Sequence, residues 1–183
     1  MKITLIRHGE TAANRQHRFL GLTDEPLTAE SRAKLRSRHY PAADRLFVSP
    51  LLRCRQTADL IYPGQAQQVL DGLREMDFGL FEGRTNEELL AEPYYQAWLD
   101  QGRADFPGGE TMEAFQERCL RAFRQAAADI KEEESAAFVI HGGTIMVLMS
   151  NLCGGNFYDY LCGNGDAYCC RYEQGRLLLE EKR

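Results

Sequence analysis

The 183-residue chain contains no apolar run approaching the ~18 residues that a membrane-spanning helix needs. It shows no signal-peptide pattern, because the first residues run directly into a short strand-like stretch. Its six cysteines (Cys54, Cys119, Cys153, Cys162, Cys169 and Cys170) form no C-x-x-C pair and no Cys/His zinc spacing. There is no internal repeat, no low-complexity tract and no linker that would divide the chain. A basic excess is also missing: 22 basic against 27 acidic side chains give a net charge of −5. These absences argue against a membrane span, a zinc module, and general binding to nucleic acid or anionic membranes. They leave room for a local basic pocket, since a small phosphorylated ligand needs only a few arginines. The expectation is one cytoplasmic domain over residues 1–183, with reduced and mostly packed thiols. A composition of 44% hydrophobic and 27% charged residues suits one globular core.

The informative stretch is the first fourteen residues. Lys2 to Ile6 is apolar and rich in β-formers, so it reads as a strand. Arg7 and His8 stand at its end, Gly9 lets the backbone turn tightly, and Glu10, Thr11 and Asn14 follow as polar loop residues. In open α/β sheets, ligands bind beyond the carboxyl ends of strands. An arginine beside a histidine there is a candidate anion site holding a candidate nucleophile.

Further along, Thr28 reads as the N-cap of a helix to about His39. Arg45 to Val48 reads as a buried strand, with Ser49-Pro50 capping and starting a helix over Leu51 to Ile61. Gln68 to Leu70 is a candidate third strand. Asp71 to Gly109, rich in glycine with scattered aromatics, reads as an excursion over one end of the sheet, with short helices near Glu87 to Leu90 and Tyr94 to Asp100. Tyr94, Tyr95 and Trp98 either face substrate or pack the excursion down. Thr111 begins a long amphipathic helix that places Met112, Phe115, Cys119, Leu120 and Phe123 on one face and ends in the acidic run Glu132 to Glu134. Ala136 to Ile140 is another apolar strand, followed by a helix to about Leu152. Ala167 to Glu173 and Leu177 to Glu180 form a hairpin turning at Gln174-Gly175, and Cys169 and Cys170 would point to its opposite faces. Strands alternating with helices imply a three-layer α/β/α sandwich with a mostly parallel central sheet and the hairpin at its edge.

Two strands end alike, in an apolar run followed by histidine and glycine. If Lys2–Ile6 and Ala136–Ile140 are parallel neighbours, His8 and His141 meet at one edge. The Gly142-Gly143 helix start offers free N–H groups and a positive dipole end to an anion. Arg53, in the first turn of its helix, can reach back over the sheet, whereas Arg55 lies about 200° further round and faces elsewhere.

Arg7-His8-Gly9-Glu10-Thr11 with Asn14 resembles the signature of the histidine phosphatase superfamily, the phosphoglycerate mutase-like proteins. Ser49-Pro50-Leu51-Leu52-Arg53-Cys54-Arg55-Gln56-Thr57-Ala58 resembles the family's second motif, with Cys54 in place of its usual small residue. The stretch Leu73 to Gly83 is similar to the family's acid segment. On spacing alone Glu75, Asp77 and Glu82 are equivalent; the resemblance selects Glu75. The match spans about Met1 to Leu152. It implies a cofactor-independent phosphomonoesterase working through a phosphohistidine at His8. Arg7, Arg53 and His141 would hold the phosphoryl group, and Glu75 would act as general acid and then base. Arg7 and Arg53, with His141 if protonated, would lower the pKa of His8 and keep its ring neutral. The resemblance also places Asn14, Gly21 and Gly142 around the phosphate, needs no metal, and gives Ser31, in place of a frequent glycine, no evident consequence.

The expected partner is a small phosphorylated substrate, with no nucleic acid or membrane; a homodimer is left open. The compact length, the segment Phe106 to Thr111 and the stretch Asn164-Gly165-Asp166 resemble the α-ribazole-5′-phosphate phosphatase branch. Two competitors stand beside this reading. A phosphoglycerate mutase would use the same site but needs a longer excursion to shelter the phosphoenzyme. A non-catalytic phospho-ligand binder would show no turnover in EDTA.

Overall fold

Two strands buried on both faces set the architecture. In the computed structural model, which describes residues 1–100, 102 and 105–183, β1 (Lys2–Arg7) and β4 (Ser135–Ile140) lie side by side and parallel. Ile3, Leu5, Ala136, Phe138 and Ile140 enter one apolar cluster, while Ile6, Ala137 and Val139 enter another on the opposite face. Such strands read as unbroken apolar runs because neither face meets water. The register pairs Arg7 with Ile140, so both chains leave the sheet at one level.

The remaining strands are β2 (Arg45–Val48), β3 (Gln67–Val69), β5 (Ala167–Glu173) and β6 (Arg176–Lys182). The order is β3-β2-β4-β1-β5-β6, with β5 and β6 antiparallel and the other four parallel. The hairpin turns through Gln174 and Gly175, both at positive φ, as a tight β-hairpin with right-handed twist requires. Cys170 is buried and Cys169 only half-buried, with an irregularity of register between them.

One face carries α6 (Met112–Ala128) and α7 (Gly142–Leu152); the other carries α2 (Ala29–Ser37) and α3 (Leu52–Ile61). Thr28 and Thr111 cap α2 and α6 through their hydroxyls, as their positions before the apolar periodicity suggested. Phe47 and Phe138 stack at 4.7 Å across the sheet, and Phe123 of α6 lies 5.1 Å from Phe138. Between β3 and α6 the excursion contributes α4 (Asn86–Leu89) and α5 (Pro93–Asp100) and covers the sheet end. Part of that expected excursion, residues 101, 103 and 104, lies outside the described residues.

Several local expectations change. The polar loop after β1 contains a helical turn, α1 (Ala12–Arg15), held by a reciprocal cap between Thr11 and Asn14. Gly9 does not turn at positive φ. It is glycine for space: a Cβ there would stand 2.5 Å from Ser31 Oγ and 2.7 Å from Leu35. Ser31 therefore has a consequence after all, since its Oγ accepts the Glu10 N–H at 2.7 Å. Ser49 does not cap α3, whose N-cap is Leu51 without a side-chain bond. The acidic run Glu132–Glu134 follows α6 as a turn into β4 rather than ending the helix.

Phe138 sits at the contact of the sheet with α6, fully enclosed. Phe138→Ala is expected to cost about 3–5 kcal/mol of unfolding free energy, read as a lower midpoint in urea at an unchanged slope.

Candidate active site

The parallel pairing continues one residue past β1, where the His8 N–H donates to the Ile140 carbonyl at 2.9 Å. That bond brings His8 beside His141, with ring centroids 5.2 Å apart and planes inclined at 64°. His8 is 3% exposed and His141 is fully enclosed. Nδ1 of His8 lies 2.7 Å from the Gly9 carbonyl. A carbonyl only accepts, so Nδ1 carries the hydrogen and Nε2 keeps the lone pair of the neutral ring. Burial first, then Arg53, then Arg7 push the His8 pKa well below the ordinary histidine value. Burial and Arg53 do the same to His141, so this second imidazole is also uncharged and adds no repulsion to His8. His141 Nε2 faces Ser49 Oγ at 2.7 Å, which is where the expected cap of α3 went.

Arg53 is wholly buried. Its guanidinium donates to the carbonyls of Thr23 at 2.9 Å and Gly21 at 2.8 Å. Arg7 donates to the Cys162 carbonyl at 2.6 Å. The Nε–H groups of both arginines are buried without a partner. Among the described residues, neither arginine makes an ion pair with a carboxylate, although exposed arginines elsewhere do. Two cations held only by neutral carbonyls, Arg53 fully buried and Arg7 half-buried, mark a place for an anion.

Glu75 is 7% exposed, and its carboxylate accepts from the N–H of Gly143 at 3.0 Å and of Met76 at 3.0 Å. Burial dominates and raises its pKa despite these donors and the two arginines. Asp77 instead holds the Gly79 N–H, and Glu82 holds the N–H groups of Gly21 and Thr23. Of the three carboxylates that spacing left equivalent, only Glu75 lines a cavity together with His8. Of the two glycines that start α7, Gly143 is there for room, whereas a Cβ on Gly142 would make ordinary contact. A Cβ on Gly143 would stand 2.5 Å from Glu75 Oε1, and one on Gly142 would stand 3.4 Å from Arg7 Nε.

Arg7, His8, Asn14, Glu75 and Gly142 line a cavity of about 230 Å³. Arg53 and His141 stand outside that lining, enclosed next to His8. Asn14 fits its expected place: its Oδ1 accepts from Thr11 N–H and Asn164 Nδ2, leaving its own amide hydrogens for the cavity. Gly21 does not fit its expected place. It is absent from the cavity wall and serves instead through its carbonyl on Arg53. Asn164 is a residue that pattern reading touched only through the resemblance. Its amide ties together the carbonyls of His8 and Gly9 and the side chain of Asn14, across at least 150 positions of sequence.

A second cavity, about 520 Å³, opens from the first and shares Phe19, Glu75, Phe78, Gly143, Met146 and Leu161 with it. Its further wall includes Tyr95, Trp98, Phe106, Phe115, Phe157 and Tyr158. Tyr95 and Trp98 thus do both things open to them: they pack the excursion and face the cavity. Tyr94 does not line it and accepts from Arg84 instead. Among the described residues, no arginine, lysine or histidine lines this second cavity. Nor do three His, Cys, Asp or Glu side chains gather as a metal site would require.

Residues 3–182 match the family model described as the histidine phosphatase superfamily (branch 1). The adenosylcobalamin/alpha-ribazole phosphatase of Salmonella typhimurium strain LT2 is 32% identical over 161 residues, covering 83% of this chain and 79% of that one. The solved structure of the alpha-ribazole phosphatase from Shigella flexneri superposes with a TM-score of 0.87 at 27% identity, covering 98% of this chain and 95% of that one. A Thermus thermophilus structure described as phosphoglycerate mutase gives 0.75 at 35% identity, covering 97% and 96%. The chain belongs to the histidine phosphatase superfamily. Within it, this protein is a phosphatase. Among the described residues, no helix is long and apolar enough to cross a membrane.

The enclosed imidazoles tie stability to pH. Their folded pKa values lie below the unfolded value of about 6.5. The unfolded chain therefore binds more protons as pH falls through that value, and stability present above it is lost below it. Each group contributes a limiting slope of about 1.4 kcal/mol per pH unit. Glu75, raised in the fold, acts in the opposite sense above about pH 4.5. Urea midpoints are expected to fall steadily from pH 7.5 to 5.5, and to fall less in His141→Gln.

Proposed function

We propose that this phosphatase works through a phosphohistidine at His8. The observation that carries the proposal is the pair of guanidiniums without carboxylates, each with a buried and unsatisfied Nε–H, next to a neutral imidazole whose Nε2 lone pair is free. A phosphomonoester dianion in the cavity takes up the unsatisfied Nε–H of Arg7, and Arg53, enclosed next to His8, adds its positive charge from behind the wall. Asn14 and the start of α7 add neutral donors. His141 offers a ring N–H without placing charge on His8. Nε2 attacks phosphorus, the N–P bond forms, and the P–O bond to the leaving alcohol breaks. Protonated Glu75 gives its proton to that oxygen. Water then attacks phosphorus and passes a proton to the Glu75 carboxylate. The N–P bond breaks, its electron pair returns to Nε2, and inorganic phosphate leaves.

Glu75 sits where the two cavities join, so the leaving group departs into the larger one. That cavity is apolar and aromatic, and no cation lines it among the described residues. A substrate with a bulky aromatic alcohol component fits; one that needs a cation for a second acidic group does not. With relatives named as alpha-ribazole phosphatases, this supports α-ribazole 5′-phosphate as the substrate over phosphoglycerates. The short excursion and the larger cavity, which no cation lines among the described residues, favour hydrolysis over a mutase, while Arg18 stands in the wall of the smaller cavity.

Incubation with substrate labelled in the phosphoryl group and an alkaline denaturing quench should leave acid-labile, base-stable label on His8. His8→Ala should lose that label and at least about 10³-fold in kcat. The plot of kcat/KM against pH should rise as His8 loses its proton, well below the ordinary histidine range, and fall as Glu75 loses its own, above the ordinary carboxylate range. Glu75→Gln should abolish the alkaline fall and lower kcat/KM for alkyl phosphates about 10²–10⁴-fold. Label that persists in His8→Ala would refute the phosphohistidine. In a substrate panel, α-ribazole phosphate should exceed phosphoglycerates in kcat/KM; the reverse order would overturn the substrate reading.

A further inference from the structure

We infer that Arg118 is a positioning residue for the general acid, an inference that rests on the role proposed for Glu75. Arg118 lies on the buried side of α6, between Phe115 and Phe123, where an apolar side chain would be expected. Every N–H of its guanidinium is spoken for. Nε and one Nη form a two-pronged ion pair with Glu110, at 2.6 and 2.7 Å. The remaining hydrogens go to three backbone carbonyls of one short segment: Gly72 at 3.0 Å, Arg74 at 2.8 Å and Glu75 at 2.9 Å. That segment leaves a single 3₁₀ turn (Asp71–Leu73) and joins no strand, so its carbonyls have no ladder to pair with. The guanidinium stands in for one.

The consequence falls on the acid. Arg118 grips the Glu75 backbone from below by its own carbonyl, while the Gly143 N–H receives the Glu75 carboxylate from above. The carboxylate is thereby aimed between fixed points on α6 and α7. Glu110, just before α6, pairs with the buried guanidinium and offsets its charge, so what Arg118 brings to the site is chiefly geometry. Only a planar, five-donor group can bridge one carboxylate and three carbonyls at once.

A purely structural grip and an aiming grip differ in what their loss does to different leaving groups. p-Nitrophenol leaves readily as an anion and needs little help from an acid; a simple alkyl alcohol needs the proton. The test compares kcat/KM for p-nitrophenyl phosphate and n-butyl phosphate in the full-length wild type, Arg118→Met, Arg118→Lys and Glu75→Gln. Folding is verified by thermal unfolding. Arg118→Met is expected to lose about tenfold or more on the alkyl ester, while staying within about threefold of wild type on the aryl ester. Arg118→Lys should recover part of the alkyl activity. Equal loss on both esters would overturn the inference. Glu75→Gln separates the two layers: if it shows no alkyl-specific loss, the acid assignment itself is wrong. If it shows that loss and Arg118→Met does not, the positioning alone is wrong. Should Arg118→Met fail to fold, Glu110→Gln, which loosens the same guanidinium, is judged by the same comparison.

Discussion

An uncompensated buried charge governs this molecule. Proteins rarely enclose a guanidinium without a carboxylate, because the lost hydration is not repaid. Here Arg53 is enclosed and Arg7 half-buried, and neutral carbonyls from Gly21, Thr23 and Cys162 hold them in place. Much nearby detail follows from keeping them so. Glu82 commits its carboxylate to the N–H groups of Gly21 and Thr23, the residues whose carbonyls hold Arg53. It therefore shapes the loop that holds Arg53 without neutralising it. Glu110 is committed to Arg118 in the same way. Burial first, and then the arginine charges, hold both histidine pKa values down, while burial raises that of Glu75 despite the same arginines.

Much of this was legible in the chain. The apolar run ending in histidine and glycine occurs twice, and two such strands become neighbours if the sheet is parallel; the paired strand ends and the 5.2 Å approach of the rings follow. Arg53 and Arg55 were separable by helix geometry, and the first is buried while the second is exposed. Thr28 and Thr111 announced their helices by their place before apolar periodicity. These are local signals, carried by spacings of a few residues.

What stayed hidden is non-local. Nothing near Asn164 says that its amide will reach the carbonyls of His8 and Gly9. Gly9 and Gly143 looked like turn and helix-start residues, but each is small because a side chain from elsewhere occupies the space a Cβ would need. Ser49 looked like a cap and became a partner for His141. Gly21 carried a resemblance to a phosphate-lining residue and instead anchors an arginine. Arg118 could have been flagged as a cation on the apolar side of α6, yet its three carbonyl partners could not have been named.

The place of β4 has a consequence for how such a molecule comes into being. It sits between β1 and β2, and these two touch each other nowhere in the sheet. While a ribosome extends the chain from its N-terminus, both earlier strands emerge with open apolar edges and must wait for residues 135–140 before they can be joined. Until then the half-made protein is a candidate for chaperone capture. A chain cut short before that strand could pair only β2 with β3, and would have no place where a phosphate could lose its ester.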